Sequence, residues 1–321
     1  MKRMRIMPVC LASVCLLAVG CIGCGRQQAQ EESLVFGFSV YDNSASYFKR
    51  MSDAVSLRCT ELGIGLEVRD SAGDGDVMEA DCKELVEQEV DALLVSPCQP
   101  EALAEIVELA HKKEIPVVVI DIGDGGSDKD AMILSDGYGG GEDAADYTAK
   151  LLEDAEGAAS DGTLIVKCEK SAIFANQRGE GYAAGIQKHG YRISAQVYAN
   201  SKEETAYAMV KEILQRDSSI SNIFAENDAM ALGAQRALEE CGRTDIVTVG
   251  YNGDTEAINS IKAGGMKATV AQQPFQMGYQ AVELAKSFLE QTTVEFDEAE
   301  EKILYTDVYV IGRDGQKIMN E

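Results

Sequence analysis

Basic residues are scarce in this sequence. Its 321 residues include 29 Lys and Arg against 54 Asp and Glu, and the formal net charge is −25. An acidic chain is repelled by phosphate-bearing partners, so nucleic acid and anionic lipid surfaces are excluded as main ligands. A small-molecule ligand is not excluded, because the charge of a binding pocket is a local property.

Histidine is nearly absent, with only His111 and His189 present. Both are at the ends of predicted helices, far in sequence from the polar loops, and we find no nucleophile–base pair. We therefore predict that the protein is not an enzyme and has no catalytic residues. The glycine-rich segment "GYGGGED" (137–143) resembles a phosphate loop, but Glu142 stands where GxGxxG needs its third glycine.

No metal site or cofactor is predicted either. The acidic segment "DSAGDGDVMEAD" (70–81) does not have the spacing of an EF-hand calcium loop. After removal of the amino-terminal segment discussed below, five scattered cysteines remain, without a CxxC pair; they are Cys59, Cys82, Cys98, Cys168 and Cys241. Such a set is unlike a zinc site or a disulfide framework. Free buried thiols are the favoured interpretation, and one structural disulfide is the alternative.

The sequence has no apolar run long enough to span a membrane. Its longest run, within residues 1–20, has about a dozen apolar residues after a basic start, which is typical of a signal peptide. The following "LLAVGC" resembles a lipoprotein processing box, with Cys21 as the lipidated residue and Cys24 as a second choice. We expect an exported protein with a lipid anchor at the outer face of the cytoplasmic membrane, and a flexible linker over residues 21–33.

The rest of the chain alternates short apolar strands with amphipathic helices. This β-α-β order occurs in two successive rounds and predicts an α/β fold with two Rossmann-like, doubly wound lobes. Strands are expected at "SLVFGFSVYD", "VDALLVSP", "IPVVVIDIG" and "GTLIVKCE", among others, and "KILYTDVYVI" is expected as one final strand. A helix is expected over about 140–153, after a glycine-rich turn.

Polar and aromatic residues follow many of the predicted strands. Because the carboxyl ends of parallel strands share one edge, we expect these residues to meet in a cleft between the lobes. The candidate ligand-binding residues are Asn43, Tyr47, Phe48, Asp121, Asn176, Arg178, Asn227, Asn252 and Gln272. Carboxylate, guanidinium and amide groups suit the hydroxyls of a sugar, and aromatic rings suit its C–H faces. Each residue also has a plain structural alternative, such as a turn, a surface ion pair or a hinge.

The segment "FAENDAMALGA" (224–234) illustrates that alternative. Either Asn227 or Asp228 is expected to cap the helix that follows the strand. We expect Asp228 to begin this helix, and Asn227 to point into the cleft.

The motifs "FAENDAMALGA", "RGEGYAAGI", "VTVGYNG" and "ATVAQQP" resemble, in this order, the periplasmic sugar-binding proteins of the ribose and galactose type. The resemblance covers nearly all of residues 34–291 and implies a solute receptor of an ABC importer. It implies crossovers near 136–140, 270–274 and 290–304. The lobes would then comprise residues 34–137 with 273–292, and residues 138–272 with 303–321.

The same resemblance implies roles for individual residues. Tyr47 and Phe48 match the stacking aromatics, Asp121 the acid after the fourth strand, and Gln272 the hinge glutamine. Arg178 matches the arginine before "GEG", and Asn227 the asparagine of the "ND" pair.

The chain departs from the family pattern at several ligand positions. Ile122 replaces the arginine that often follows Asp121, and Asn252 replaces an aspartate. The chain also has no tryptophan to stack on a pyranose. A ribose ligand is therefore in doubt, and another pentose, a deoxy sugar, a polyol or a nucleoside-like molecule fits as well.

The expected partners are a sugar-like small molecule, an ABC permease and the membrane through the lipid, with the protein a monomer. One alternative is a receptor that signals to a membrane kinase or chemoreceptor. A transcriptional repressor with the same lobes is disfavoured, because a signal peptide replaces the helix-turn-helix.

Overall fold

The computed structural model describes residues 33–153, 161–313 and 317–318. The predicted signal peptide, Cys21, Cys24 and nearly all of the predicted linker lie outside this part of the chain. The described part contains two sheets, of six and seven strands.

The first sheet is wholly parallel, with strand order β11-β5-β4-β3-β1-β2. Its strands are β1 (Val35–Val40), β2 (Gly65–Asp70), β3 (Ala92–Val95), β4 (Val117–Ile120), β5 (Ala131–Ser135) and β11 (Ile303–Thr306). Helices cover both faces; they are α1 (Ser46–Leu62), α2 (Gly75–Glu87), α3 (Leu103–His111, after a 3₁₀ turn over Pro100–Ala102) and α9 (Pro274–Leu289). One apolar cluster packs α1 and α9 on the sheet, and another packs α2 and α3 on its opposite face.

The second sheet is mixed, with order β13-β12-β10-β9-β8-β6-β7. Its strands are β6 (Gly162–Lys167), β7 (Arg192–Tyr198), β8 (Ile220–Ala225), β9 (Val247–Asn252), β10 (Ala268–Ala271), β12 (Tyr309–Gly312) and β13 (Lys317–Ile318). Only β12 and β13 are antiparallel to their neighbours. The helices are α4 (Gly137–Glu153), α5 (Ile173–Lys188), α6 (Glu203–Arg216), α7 (Asp228–Cys241) and α8 (Thr255–Ala263).

The local sequence explains where these elements begin and end. Helix α1 buries Met51, Val55 and Cys59, which are four residues apart and therefore lie on one face. It ends at Gly63, whose φ of 70° is a left-handed conformation that glycine adopts without steric cost. The two-lobe α/β fold predicted from the sequence is confirmed.

Helix α4 begins earlier than predicted, because the glycine-rich segment is helical rather than a turn. A Cβ at Gly141 would lie 2.2 Å from the carbonyl oxygen of Arg178, and one at Gly181 would lie 2.0 Å from that of Tyr138. The glycines therefore let the backbones of α4 and α5 touch, and this close packing offsets the low helix propensity of glycine.

The prediction of one strand over "KILYTDVYVI" is wrong. Ile303–Thr306 pairs in parallel with Ala131–Ser135 of the first sheet, whereas Tyr309–Gly312 pairs antiparallel with Ala268–Ala271 of the second. The expected placement of residues 303–306 in the second lobe, and the crossover at 290–304, are therefore incorrect. An apolar alternation shows that residues are extended but does not show which sheet edge they join.

The chain passes between the sheets at three places. It leaves β5 at Ser135 and enters α4 at Gly137, which packs on the second sheet. It returns between β10 and α9, and crosses again between Thr306 and Tyr309. Three adjacent segments of the chain therefore connect the lobes.

The five cysteines of the described chain are all free thiols, as favoured from the sequence, but the expected burial is confirmed for only three of them. Cys59, Cys82 and Cys168 are buried, while Cys98 and Cys241 are partly exposed. Burial raises the pKa of the Cys59 thiol to about 11. Within the described ranges, no helix is long and apolar enough to cross a membrane.

Candidate functional site

A chain of side-chain hydrogen bonds joins the two lobes beside the crossovers. Arg178 Nη1 donates to Asn252 Oδ1 at 3.2 Å, and Gln272 Nε2 donates to the same oxygen at 2.9 Å. Tyr47 Oη of the first lobe donates to Gln272 Oε1 at 3.3 Å. Four of the predicted site residues are thus brought together, although they are far apart in the sequence.

Arg178 is held in place by groups of the second lobe. Its Nη1 also donates to the Glu226 carbonyl oxygen at 2.8 Å, and its guanidinium lies 4.2 Å from the centre of the Tyr251 ring. The Tyr251 ring and the Glu226 carbonyl fix the orientation of the planar guanidinium. A guanidinium held in this way is suited to bind two vicinal oxygen atoms.

Asp121 follows β4, as predicted, and lies near Tyr47 and Arg178. Burial raises the pKa of its carboxyl, and the charge of Arg178 opposes this rise. Burial and then the Asp121 carboxylate raise the pKa of Tyr47, so this phenol stays protonated and able to donate. The Asp121 carboxyl and the Tyr47 hydroxyl therefore offer an acceptor and a donor at the same point of the cleft.

Tyr47 and Phe48 form an aromatic cluster at the start of α1. Phe48 stacks on Tyr41 with 4.6 Å between ring centres, and its edge meets Tyr47 at 5.1 Å. Both residues also pack on the core of the first sheet. The structure gives Phe48 a packing role, and its predicted contact with ligand stays a prediction.

The predicted asparagines have different surroundings. Asn227 caps α7, because its Oδ1 accepts from Met230 N at 2.9 Å, and its Nδ2 faces Cys168 Sγ at 3.8 Å. Asp228 begins α7, as expected. Asn176 Nδ2 donates to the carbonyls of Glu169 and Ala172 and so holds the loop before α5.

Two amide oxygens of the predicted set are buried without a hydrogen-bond partner among the described residues. They are Asn43 Oδ1 and Asn176 Oδ1. A buried acceptor without a partner is costly, so each amide is a place where a hydroxyl donor would be stabilising. The backbone N–H of Asn43 is bound to Asp70 at 3.1 Å.

A cavity of about 570 Å³ lies between the lobes and reaches this network. Its first-lobe wall includes Pro100 and residues 121–126, and its second-lobe wall includes Glu169 and one face of α5 down to Arg178. Of the predicted site residues, Asp121 and Arg178 line it.

Several lining residues were missed by the sequence prediction. Phe174 lies in the cavity wall on α5, one turn before Arg178. Ile122, which the sequence marked only as a departure from the family pattern, faces the same space. The available signal was the i, i+1, i+4 spacing of Phe174, Ala175 and Arg178, which places them on one face of a helix. Tyr251, whose ring lies against the Arg178 guanidinium, was also missed. It is fully buried within an apolar strand, and its sequence context is that of a core residue.

Two buried carboxyl groups support the loops of the second lobe. Glu226 Oε2 accepts from Cys168 N at 2.6 Å, and Asp228 accepts from Thr269 Oγ1 at 2.7 Å and Asp254 N at 2.8 Å. Burial raises the pKa of Glu226 and that of Asp228 to about 7.

No group of three or more His, Cys, Asp or Glu side chains in residues 33–153, 161–313 and 317–318 has a metal-binding arrangement. The cleft offers both kinds of hydrogen-bonding group, because Arg178 donates and Asp121 accepts.

Comparison with known proteins agrees with this geometry. A family model described as a periplasmic binding protein domain matches residues 36–293. The chain belongs to this family. The ribose import binding protein of Haemophilus influenzae is 30% identical over 267 residues, which cover 83% of this chain and 88% of the relative. The predicted relation to the ribose-type binding proteins is therefore confirmed, and the family is one of solute-binding proteins rather than enzymes.

Solved structures show the same fold. AraP, an arabinose binding protein from Geobacillus stearothermophilus, has a TM-score of 0.78 at 19% identity and covers 88% of this chain and 97% of its own. A periplasmic ribose ABC transporter protein from Conexibacter woesei has a TM-score of 0.76 at 22% identity. The match covers 88% of this chain and 92% of the Conexibacter chain. The two-lobe periplasmic binding protein fold is thus shared at low identity.

Proposed function

We propose that the protein captures a sugar or related polyhydroxylated molecule between its lobes and delivers it to an ABC importer. The observation that carries this proposal is the network of Tyr47, Gln272, Asn252 and Arg178, which joins both lobes at the cleft. The relative from H. influenzae is named as a ribose import binding protein, which supports the same class of solute.

The contacts suggest how ligand binding and closure are coupled. Ligand hydroxyls would replace the bonds that these side chains make to one another, and would meet Asp121 on one lobe and Arg178 on the other. A ligand that contacts both lobes binds the closed form better than the open form, so it shifts the population towards closure. The permease would then recognise the closed form.

We further propose that the protein is exported, acts as a monomer, and is anchored by a lipid on Cys21. Its basic start, short apolar run and small residues before cysteine support this proposal. The anchor keeps the receptor near the permease and raises its effective concentration there. A Cys21→Ser variant should move from the membrane fraction to the soluble fraction, and retention at the membrane would contradict the proposal unless Cys24 is used instead.

The binding proposal is tested by a thermal-shift screen of the purified protein against pentoses, hexoses, polyols and nucleosides. A true ligand raises the unfolding midpoint by mass action. The Arg178→Ala variant should then bind the identified ligand at least about tenfold more weakly by calorimetry, because it loses charge-assisted hydrogen bonds.

The matched control is Arg216→Ala, which removes an exposed arginine paired with Glu212 on α6. This control should keep the wild-type affinity. Equal affinities of the wild type and Arg178→Ala, with both proteins folded, would place the ligand elsewhere.

A further inference from the structure

The wall of the cavity is chemically divided in the same way on both lobes. On the first lobe, the carboxylate of Asp121 is followed directly by the apolar side chain of Ile122. On the second lobe, Arg178 and Phe174 lie on one face of α5, about 6 Å apart along the helix axis. Each lobe thus contributes one polar and one apolar side chain to the wall, which also includes Glu101, Asp124, Glu169 and Ser171. We call the part of the wall formed by Ile122 and Phe174 the apolar end.

The apolar end brings the two lobes close together. A Cβ at Gly123 would lie 2.9 Å from Phe174 Cε2, so the loop after Ile122 packs against the ring edge. Ala172 and Ala175 add further carbon surface on the α5 side. A ligand group at this end meets carbon from both lobes.

Ile122 has an unusual backbone conformation for its residue type. Its φ is 61°, and that of Asp121 is 62°, in the left-handed region that β-branched residues rarely adopt. Its side chain is nevertheless 38% exposed and faces the cavity. Strain of this kind persists where the surroundings impose it, and it is concentrated at ligand sites.

The surrounding loop supplies that constraint. Lys129 Nζ forms a buried ion pair with Asp124 at 2.5 Å, and Gly126 N donates to Asp124 Oδ1 at 3.0 Å. Asp121 N is bound to the Ile133 carbonyl at 2.8 Å. The loop is therefore fixed at both ends, with Ile122 directed towards the space between the lobes.

The charged residues that line the cavity restrict the class of ligand further. Glu101, Asp121 and Glu169 line it together with Arg178, whose Nη1 already donates to the Glu226 backbone carbonyl and to Asn252 Oδ1. A phosphate or carboxylate ligand would meet a surplus of like charge.

We propose that the natural ligand is an uncharged monosaccharide whose terminal carbon is a methyl group, that is, a terminally deoxygenated sugar. The inference rests on the proposed function. Its hydroxyls bind at Asp121 and Arg178, while its methyl group contacts Ile122 and Phe174. A terminal hydroxyl placed between Ile122 and Phe174 finds no hydrogen-bonding group on either side chain, whereas a methyl group there gains from leaving water.

The test measures the affinities of matched ligand pairs by calorimetry. The pairs are L-fucose and L-galactose, L-rhamnose and L-mannose, and 5-deoxy-D-ribose and D-ribose. In at least one pair the deoxy member should bind with a Kd at least about tenfold smaller than its hydroxylated partner.

Two variants link this preference to the apolar end. Ile122→Asn tolerates the left-handed backbone better and adds a hydrogen-bonding group, so it should fold and reduce the preference at least about fivefold. Leu57→Asn changes an apolar residue of similar exposure on α1, outside the cavity lining, and should keep the preference.

Three results would overturn the inference. One is equal or tighter binding of the hydroxylated member in every pair. Another is binding of other sugars or polyols with no binding by any deoxy member, and the third is an Ile122→Asn variant with an unchanged preference. All three leave the proposed function intact, whereas failure of every sugar, polyol and nucleoside to bind would contradict the proposed function itself.

Discussion

Asp228 shows how one buried residue shapes the site of the second lobe. Its carboxylate binds Thr269 Oγ1 on β10 and the backbone N–H of Asp254 in the loop after Asn252. It therefore fixes the loop that presents Asn252 to Arg178 and Gln272. The cost of burying this carboxylate is expressed as a raised pKa of about 7.

This raised pKa predicts a pH dependence of stability. The native state binds the Asp228 proton more tightly than the unfolded chain, in which the pKa is near 3.8, so the contribution of Asp228 to native stability falls as pH rises from about 4 to 7. Asp228→Asn should flatten this dependence. At pH 8 it should raise the thermal midpoint by at least about 3 °C, as expected for roughly 1 kcal/mol in a protein of this size.

Asp53→Asn on the exposed face of α1 is the matched control and should leave the pH profile unchanged. Buried Glu226 contributes a change of the same sign, so the variant is expected to reduce the slope rather than remove it. A melting profile for Asp228→Asn that follows the wild type from pH 4 to 8 would contradict this account.

At the scale of secondary structure, the contact between α4 and α5 positions Arg178. The two helices approach so closely that Gly141 faces the backbone of both Arg178 and Tyr182. Tyr182 is fully buried, stacks on Phe224, and donates to Asn222, so α5 is firmly held against the sheet. The register of α5 along α4 therefore determines where the guanidinium lies.

Gly141→Ala should disturb both stability and binding. A methyl group 2.2 Å from a backbone oxygen forces the helices apart, at a cost of about 1–3 kcal/mol. The thermal midpoint should fall by several degrees, and ligand affinity should fall as Arg178 moves. Lys150→Ala, which removes an exposed side chain of the same helix, should change neither property in melting and calorimetry experiments. An unaltered Gly141→Ala protein would show that the helices are not in backbone contact.

At the scale of the whole molecule, the three crossings between the sheets permit relative motion of the lobes. We expect the radius of gyration, measured by small-angle X-ray scattering, to decrease when the ligand is added. Arg178→Ala should require at least about tenfold more ligand for the same contraction, because it loses the contact that favours the closed form. Arg216→Ala should contract as the wild type does, and a radius that is insensitive to ligand would contradict coupling between binding and closure.

Much of this protein is determined by local sequence. The alternation of apolar strands with amphipathic helices is a short-range pattern, and it predicted the two-lobe α/β fold. The residues that follow the strands could also be identified from the sequence as candidate site residues. Parallel strands bring their carboxyl ends to one edge of a sheet whatever the details of packing. Arg178, Asn252, Gln272, Tyr47 and Asp121 were identified in this way.

Tertiary structure decided what depends on contacts between distant segments. The division of residues 303–312 between two sheets and the helical path through the glycines of 137–141 each depend on a neighbour that is remote in sequence. The close approach of Gly123 to the Phe174 ring across the cleft is of the same kind. Local pattern sets which residues are extended, helical or polar, but only packing of the whole chain sets which of them meet, because burial and steric fit are properties of pairs.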